Sequence, residues 1–143
     1  MQVRLLRFTH QYLNDMDNQI IKRIGNTIDI NIVVNDGADL STVLGFTPNY
    51  EIEIVKAYGR TYDVPNSSIT ADTTTGTFSF KWKAGNQYGV GDYTLVLRLY
   101  EVNDKSEETG DFRTVDMTQA IRLTKHTCQG TDEGSQLNIK FEI

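Results

Sequence analysis

Hydrophobic and polar residues alternate along most of this chain, so that apolar side chains occupy every second position. The clearest runs are NTIDINIVV, YEIEIVKAY, GTFSFKWK and GVGDYTLVLRLYE. Alternation with a period of two is typical of β-strands that bury one face. Two further segments continue it: Val115, Met117, Ile121 and Leu123, and then Leu137, Ile139, Phe141 and Ile143. The pattern predicts a strand in each of these six segments.

Turn-forming residues separate the predicted strands. The segments NDGADLS, TTTG, NQYGVG and KHTCQGTDEG each lie between two apolar runs. Gly, Asn, Asp, Ser and Thr favour turns through their backbone freedom or their local hydrogen bonds. Seven to nine short strands joined in this way, with no helical pattern between them, predict an all-β sandwich of antiparallel sheets. A length of 143 residues favours one domain, which we expect to span residues 1–143.

The N-terminal region carries the one ambiguous pattern. Apolar residues spaced by four, which suit a helix face, occur at Tyr12, Met16, Ile20 and Ile24. The overlapping segment NQIIKRIGN suits a short strand that ends at Gly25. We favour a loop or one helical turn followed by a strand. Residues 1–24 are therefore treated as an N-terminal extension that contains a short helix or an edge strand.

The net charge argues against a nucleic-acid partner, and the short apolar runs argue against a membrane span. Lys and Arg total 14 against 19 Asp and Glu, which gives a formal net charge of -5. Because nucleic-acid binding depends on attraction between cationic side chains and phosphates, we predict no nucleic-acid partner. Arg4 and Arg7 interrupt the first apolar residues, so no signal peptide is visible. No apolar run approaches the ~20 residues of a spanning helix, and we expect no membrane insertion.

A calcium-binding loop can be tested on the segment DKSEETGDFRTV. Asp104, Ser106 and Glu108 fall at the first, third and fifth positions of such a loop. The glycine required at the sixth position is Thr109, and the glutamate required at the twelfth is Val115. The segment is therefore better interpreted as a solvated loop rich in acids.

Other groupings of reactive side chains also fall short of a catalytic site. His126 and Cys128 form an H-x-C pair, but His10 is the only other imidazole and is distant in sequence. Glu51 and Glu53 share one face of a predicted strand, which favours a solvated sheet surface over an acid–base pair. We predict no catalytic residue, no cofactor and no metal, and we interpret the protein as non-enzymatic.

Aromatic side chains offer a different functional clue, because exposed rings can form a platform for sugars. The candidates are Trp82, Tyr88, Tyr100, Tyr58 and Tyr62. Trp82 is in phase with the apolar face of its predicted strand, which favours a core position. Tyr100 is out of phase with the leucines before it, which predicts an exposed ring and a possible ligand or interface contact.

The segment GVGDYTLVLRLYE begins with closely spaced glycines, which raises the question of a phosphate-binding loop. Those loops open onto a helix N-terminus, whereas this one opens onto a strand, and Thr94 replaces the third glycine. The segment instead resembles the tyrosine corner of immunoglobulin-like sandwiches, with Gly91 as the small residue and Tyr93 as the tyrosine. Leu95 stands where antibody domains carry a cysteine. We therefore predict an immunoglobulin-like antiparallel β-sandwich that is not of the antibody type.

Several motifs between Ile24 and Glu101 occur in an order that resembles one family of tail proteins. These motifs are RIGNTIDINIVVNDGADLS, YEIEIVKAYG, ITADTTTGTFSFKW and GVGDYTLVLRLYE. Together they resemble the N-terminal immunoglobulin-like domain of phage baseplate upper proteins and related tail proteins. The resemblance covers just over half of the chain.

That resemblance implies a structural protein of a phage or prophage virion, assembled in the host cytoplasm. Its expected partners are other copies of itself and neighbouring tail proteins. The last predicted strand would lie at a sheet edge, where Lys140 and Glu142 on its outer face would restrict which chain can join. The alternative is a carbohydrate-binding or adhesin-type sandwich module, in which exposed aromatic rings would bind a glycan.

Overall fold

The structure is a computed structural model that describes residues 19–101, 113–126, 131–132 and 134–143. The strands are β1 (Ile20–Arg23), β2 (Ile28–Val34), β3 (Asn49–Lys56), β4 (Thr61–Val64), β5 (Thr70–Asp72), β6 (Thr77–Trp82), β7 (Gly91–Tyr100), β8 (Thr114–Thr124), β9 (Thr131–Asp132) and β10 (Gln136–Phe141). One short helix, α1 (Leu40–Leu44), and three single 3₁₀ turns lie between strands of the described part. The predicted all-β fold is confirmed.

The strands form two sheets. In one sheet the order is β4-β3-β7-β8-β1-β9, and in the other it is β10-β2-β6-β5. The order of β2 to β8 is that of an immunoglobulin variable domain, since β2, β6 and β5 take the places of strands B, E and D. Strands β4, β3, β7 and β8 take the places of C′, C, F and G. The result is an immunoglobulin-like sandwich.

Strand pairing is mainly antiparallel, with three parallel exceptions. Strand β1 pairs in parallel with both β8 and β9, and β10 pairs in parallel with β2. Parallel neighbours need a long connection between them. For the β2–β10 pair, this connection contains strands β3 to β9, which form most of the sandwich.

The core consists of the apolar residues that alternate along the strands, as predicted. On β2, buried and half-buried residues alternate over its whole length, and on β7 Tyr93, Leu95, Leu97 and Leu99 are all buried. Trp82 is fully buried, which confirms its predicted core position. At the end of the last apolar row, Ile143 is 40% exposed, because it lies beyond β10.

The ambiguous N-terminal region contains the predicted strand, β1. It lies between β8 and β9 rather than at the edge of its sheet. Residues 1–18, which include Tyr12 and Met16 of the alternative helical pattern, lie outside the described residues.

The predicted turn after β2 contains more regular structure than its sequence indicated. A 3₁₀ turn over Asn35–Gly37 is followed by α1, whose N-cap is Asp39. The Asp39 carboxylate accepts a hydrogen bond from the backbone N–H of Ser41 at 3.0 Å, which satisfies one of the free donors at the start of the helix.

Candidate functional site: the edge formed by β10

The outer edge of the four-stranded sheet is formed by β10, and no described strand pairs with its far side. The Asp29 N–H donates to the carbonyl oxygen of Ser135 at 2.7 Å. Because bonding direction alternates along a strand, the odd-numbered residues of β10 bond to β2. The backbone N–H and C=O groups of Asn138 and Lys140 therefore point away from the sandwich, where they can bind another strand.

A buried lysine covers the beginning of this edge. The Lys22 side chain is 1% exposed, and its ammonium group donates to the carbonyl oxygens of Gly134 at 2.6 Å and Gln136 at 2.7 Å. Lys22 belongs to β1 of the opposite sheet, so its side chain links that sheet to the start of β10. The Gln136 carbonyl is thus already bonded, and the open part of the edge begins at Asn138.

An asparagine extends the edge beyond the end of β10. The Ile143 N–H donates to Oδ1 of Asn35 at 2.7 Å, and Nδ2 of Asn35 donates to the carbonyl oxygen of Ile143 at 3.2 Å. This amide replaces a neighbouring strand, since it bonds both backbone groups of one residue. Phe141 pairs with β2 and Ile143 with Asn35, so the backbone groups of Glu142, between them, point outward.

Both charged residues predicted for the outer face are exposed. Lys140 lies within β10, and Glu142 lies one position beyond it. Neither takes part in an ion pair with any described residue. They are the only charged side chains of the described C-terminal segment 134–143, and they have opposite signs.

The predicted corner residues lie at the start of β7. The chain leaves β6 in one sheet and enters β7 in the other, and Tyr93 donates through its hydroxyl to the carbonyl oxygen of Gly89 at 2.5 Å. Gly91 has a φ of 137°, which favours glycine. The Tyr93 ring packs edge-on against Trp82, with 5.2 Å between ring centroids. Burial raises the pKa of Tyr93, which keeps its hydroxyl protonated as a donor.

Replacing Tyr93 by phenylalanine should lower the free energy of unfolding by about 1 kcal/mol or somewhat more. The change keeps the ring against Trp82 but removes the hydrogen bond to Gly89, whose usual net value is of that size. Urea denaturation of the two proteins measures the difference. Equal stability would show that the hydroxyl does not hold the corner.

Asp92, next to the corner, links strand β7 to β8. Its carboxylate accepts hydrogen bonds from Nε of Arg122 at 2.8 Å and from the Gln19 side chain at 3.0 Å. The bond from Arg122 lowers the pKa of Asp92. The folded state therefore binds this proton more weakly than the unfolded state does, and the resulting stabilisation exists above the ordinary pKa of about 3.9.

We expect Asp92→Asn to lower the free energy of unfolding by about 0.5 kcal/mol near pH 7, the usual value for an exposed ion pair. The difference should shrink below about pH 4, because the wild-type carboxyl then gains its proton as the pH falls through the lowered pKa. Denaturant titrations at pH 7 and pH 3 test this. A difference that is as large at pH 3 as at pH 7 would contradict it.

Tyr100 does not lie near Lys140 and Glu142 in the fold. It is half-buried at the end of β7, opposite Asn49 and Thr114 in the six-stranded sheet. The structure therefore does not join the three predicted contact residues into one surface. Lys140 and Glu142 lie together on the edge, whereas Tyr100 lies on a central strand of the other sheet.

The outer face of the six-stranded sheet carries an acidic cleft of ≈ 270 Å³ lined by Glu51, Glu53, Asp63 and Arg98. Arg98 bonds to Asp116 at 2.9 Å and lies 3.8 Å from Glu51. Hydrogen bonding to Asp116 raises the pKa of Arg98. Glu51 and Glu53 thus occupy the solvated sheet surface that was predicted for them.

A polar cleft of ≈ 580 Å³ lies on the four-stranded sheet. Its lining includes the amides and hydroxyls of Asn31, Ser68, Thr70, Ser79 and Gln136. One half-buried ring, Tyr62, contributes to its wall, and burial raises the pKa of that phenol. The cleft therefore offers hydrogen-bond donors and acceptors beside an aromatic side chain.

The metal and nucleophile candidates of the sequence are only partly described. His126 is exposed, whereas His10, Cys128 and the acidic segment 104–112 lie outside the described residues. Among the residues that are described, no group of three or more His, Cys, Asp or Glu side chains is placed to hold a metal ion. No helix in the same ranges is long and apolar enough to cross a membrane.

The fold is an immunoglobulin-like β-sandwich, and among the described residues no strand pairs with the outer side of its edge strand β10. No family model, no curated protein and no solved structure matches the chain.

The sequence pattern did not identify two residues that bind this edge, Lys22 and Asn35. Lys22 is in phase with Ile20 and Ile24, so alternation alone places its side chain between the sheets, but its charge argued against burial. Asn35 carries no such signal, because it lies in a segment rich in turn-forming residues.

Proposed function

We propose that this chain is a non-enzymatic structural protein that works by assembly, as a phage or prophage tail protein of the baseplate type. The observation that carries the proposal is the open edge of β10. Its partners are other copies of the chain and neighbouring tail proteins, and its location is the virion.

An open edge can support assembly because its backbone groups have fixed directions before a partner arrives. Asn138 and Lys140 each present one N–H and one C=O, and β10 is held in place by six residue pairs with β2. A strand added to such an edge gains main-chain hydrogen bonds, while the side chains on its faces select the partner. This is a protein–protein surface that requires no cofactor.

Assembly through this edge should be weak in isolation. Edge pairing buries little area compared with the roughly 1,200–2,000 Å² of a stable interface. Repeated contacts around a symmetry axis raise the effective strength without any new contact. A tail layer that contains many copies fits this requirement.

Self-association tests the proposal directly. Light scattering across a concentration series should detect oligomers of the wild type at high concentration. Lys140→Pro should abolish them, because proline removes the outward N–H of Lys140 and leaves the backbone ladder to β2 intact. Thr61→Pro, at an outward-facing position of the edge strand β4, is the matched control and should associate like the wild type. A wild-type protein that stays monomeric at high concentration would contradict the proposal.

The tail setting needs a separate measurement. Mass spectrometry of tail particles purified from cells that carry the gene should detect peptides of this chain in fixed proportion to other tail proteins. Their absence from intact particles would exclude the baseplate-type role.

The polar cleft on the four-stranded sheet favours a second candidate function, carbohydrate binding. Amides and hydroxyls are the groups that bind sugar hydroxyls, and Tyr62 supplies a ring. Trp82, which is fully buried, is unable to contact a glycan. Glycan-array binding that is lost in Ser79→Ala, together with a monomeric wild type, would support this function over assembly.

A further inference from the structure

The charges along the β10 edge have an order that suits pairing with itself. Lys140 and Glu142 are two positions apart, so both project on the same side of the strand and both have outward backbone groups. In an antiparallel pair related by a two-fold axis, the same segment of each copy faces the other in reverse order. Only a few registers then bring outward-facing residues together.

Three of these registers differ sharply in charge. A two-fold axis at Phe141 places each Lys140 opposite Glu142 of the second copy. An axis at Lys140 places the two Lys140 side chains opposite each other, and an axis at Ile139 places Lys140 opposite Asn138. Directly opposed unlike charges stabilise a strand pair, whereas like charges destabilise it. The register centred on Phe141 is the one that forms two Lys–Glu pairs.

The contacts of Lys22 and Asn35 also favour pairing near the end of β10. Lys22 already bonds the carbonyl oxygen of Gln136, so a register that extends to the start of β10 loses the hydrogen bonds that this carbonyl would accept. Asn35 bonds both backbone groups of Ile143, which keeps Glu142 in a strand-like conformation beyond the end of β10. Among the described residues, the covered start and the extended end therefore leave the outer side of the segment from Asn138 to Glu142 without a partner strand.

We infer that the partner of this edge is a second copy of the chain, joined antiparallel across a two-fold axis at Phe141, with Lys140 of each copy opposite Glu142 of the other. The inference rests on the proposed assembly function and adds its symmetry and register. Because each copy carries a formal net charge of -5, two copies repel at long range. The paired Lys140 and Glu142 supply local attraction at the contact.

Charge exchange between the two positions tests the register. In Lys140→Glu, and likewise in Glu142→Lys, like charges oppose each other twice in every dimer. Each variant alone should dimerise about tenfold or more weakly than the wild type. The double variant K140E/E142K restores both pairs and should dimerise like the wild type. An equimolar mixture of the two single variants should also form dimers, because every facing pair then has opposite signs.

Sedimentation velocity over a concentration series measures these affinities, and denaturation midpoints establish that each variant is folded. Arg60→Glu and Asp63→Lys change the net charge equally at exposed sites in and beside β4, in the other sheet, and they should leave the affinity unchanged. Single variants that dimerise as tightly as the wild type, or a double variant that is not rescued, would overturn the register while a wild-type dimer still supports assembly. A wild type that is monomeric at every concentration would overturn both.

Discussion

Replacing Trp82 by alanine should lower the free energy of unfolding by about 3–5 kcal/mol, because deleting a large buried side chain loses apolar contact and leaves a cavity. The Trp82 side chain is fully buried at the end of β6. Its ring contacts Tyr93 at 5.2 Å between centroids, and Nε1 donates to the carbonyl oxygen of Asn86 at 2.9 Å. Alanine removes all of these interactions together.

Trp82→Phe is the matched control for the volume effect. Phenylalanine keeps an aromatic ring against Tyr93, so the decrease in the free energy of unfolding should be clearly smaller than for alanine. The part that remains reflects the lost hydrogen bond to the carbonyl oxygen of Asn86. Circular dichroism in urea measures both variants, since the chain contains only this one tryptophan and the variants lose its fluorescence. A loss of less than about 1 kcal/mol in Trp82→Ala would be inconsistent with a packed core at this end of the sandwich.

Replacing Gly76 by alanine should lower the free energy of unfolding by about 2–4 kcal/mol. Gly76 has a φ of +61°, and a Cβ atom there would lie 2.8 Å from the carbonyl oxygen of Val34 and 3.0 Å from that of Ala38. Both neighbours are backbone atoms, so neither can rotate away. The end of β2 must move to accommodate the methyl group.

This substitution should also weaken self-association. Val34 is the register partner of Phe141, and the next residue, Asn35, holds Ile143. A shift of Val34 therefore moves the same segment that carries Lys140 and Glu142. Gly85→Ala is the control, because its Cβ meets nothing within 4 Å. If both alanine variants unfold at the same denaturant concentration, the close contacts of a Cβ atom at position 76 do not lower the free energy of unfolding.

The sequence predicted which side of each strand faces the core, because that depends only on alternation along the strand. The inward rows of β2 and β7 were correct residue by residue, and so was the burial of Trp82. Alternation carries no information about which strand lies beside which. The parallel neighbours of β1 and β10 therefore became visible only in the structure.

The candidate edge was predictable in part. Lys140 and Glu142 were identified as exposed charges on a terminal strand, and they occupy such positions. The two residues that limit the edge, Lys22 and Asn35, act through contacts with residues about 110 positions away in the sequence. Local patterns contain no trace of contacts that distant. Tyr100 was predicted to have an exposed ring, but it is half-buried and lies in the other sheet.

The parallel pairing of β10 with β2 has a consequence for how the chain reaches its folded state. Asn31 and Asn138, which bond to each other across this ladder, are 107 positions apart in the sequence. Pairs with such a separation form slowly, because a long loop must close before they contribute any stability. During synthesis on the ribosome, β2 must therefore wait with its Ile- and Val-rich edge uncovered until β10 has been made. We expect this interval to be the period of greatest risk of misfolding, in which β10 of one chain can complete the sheet of another.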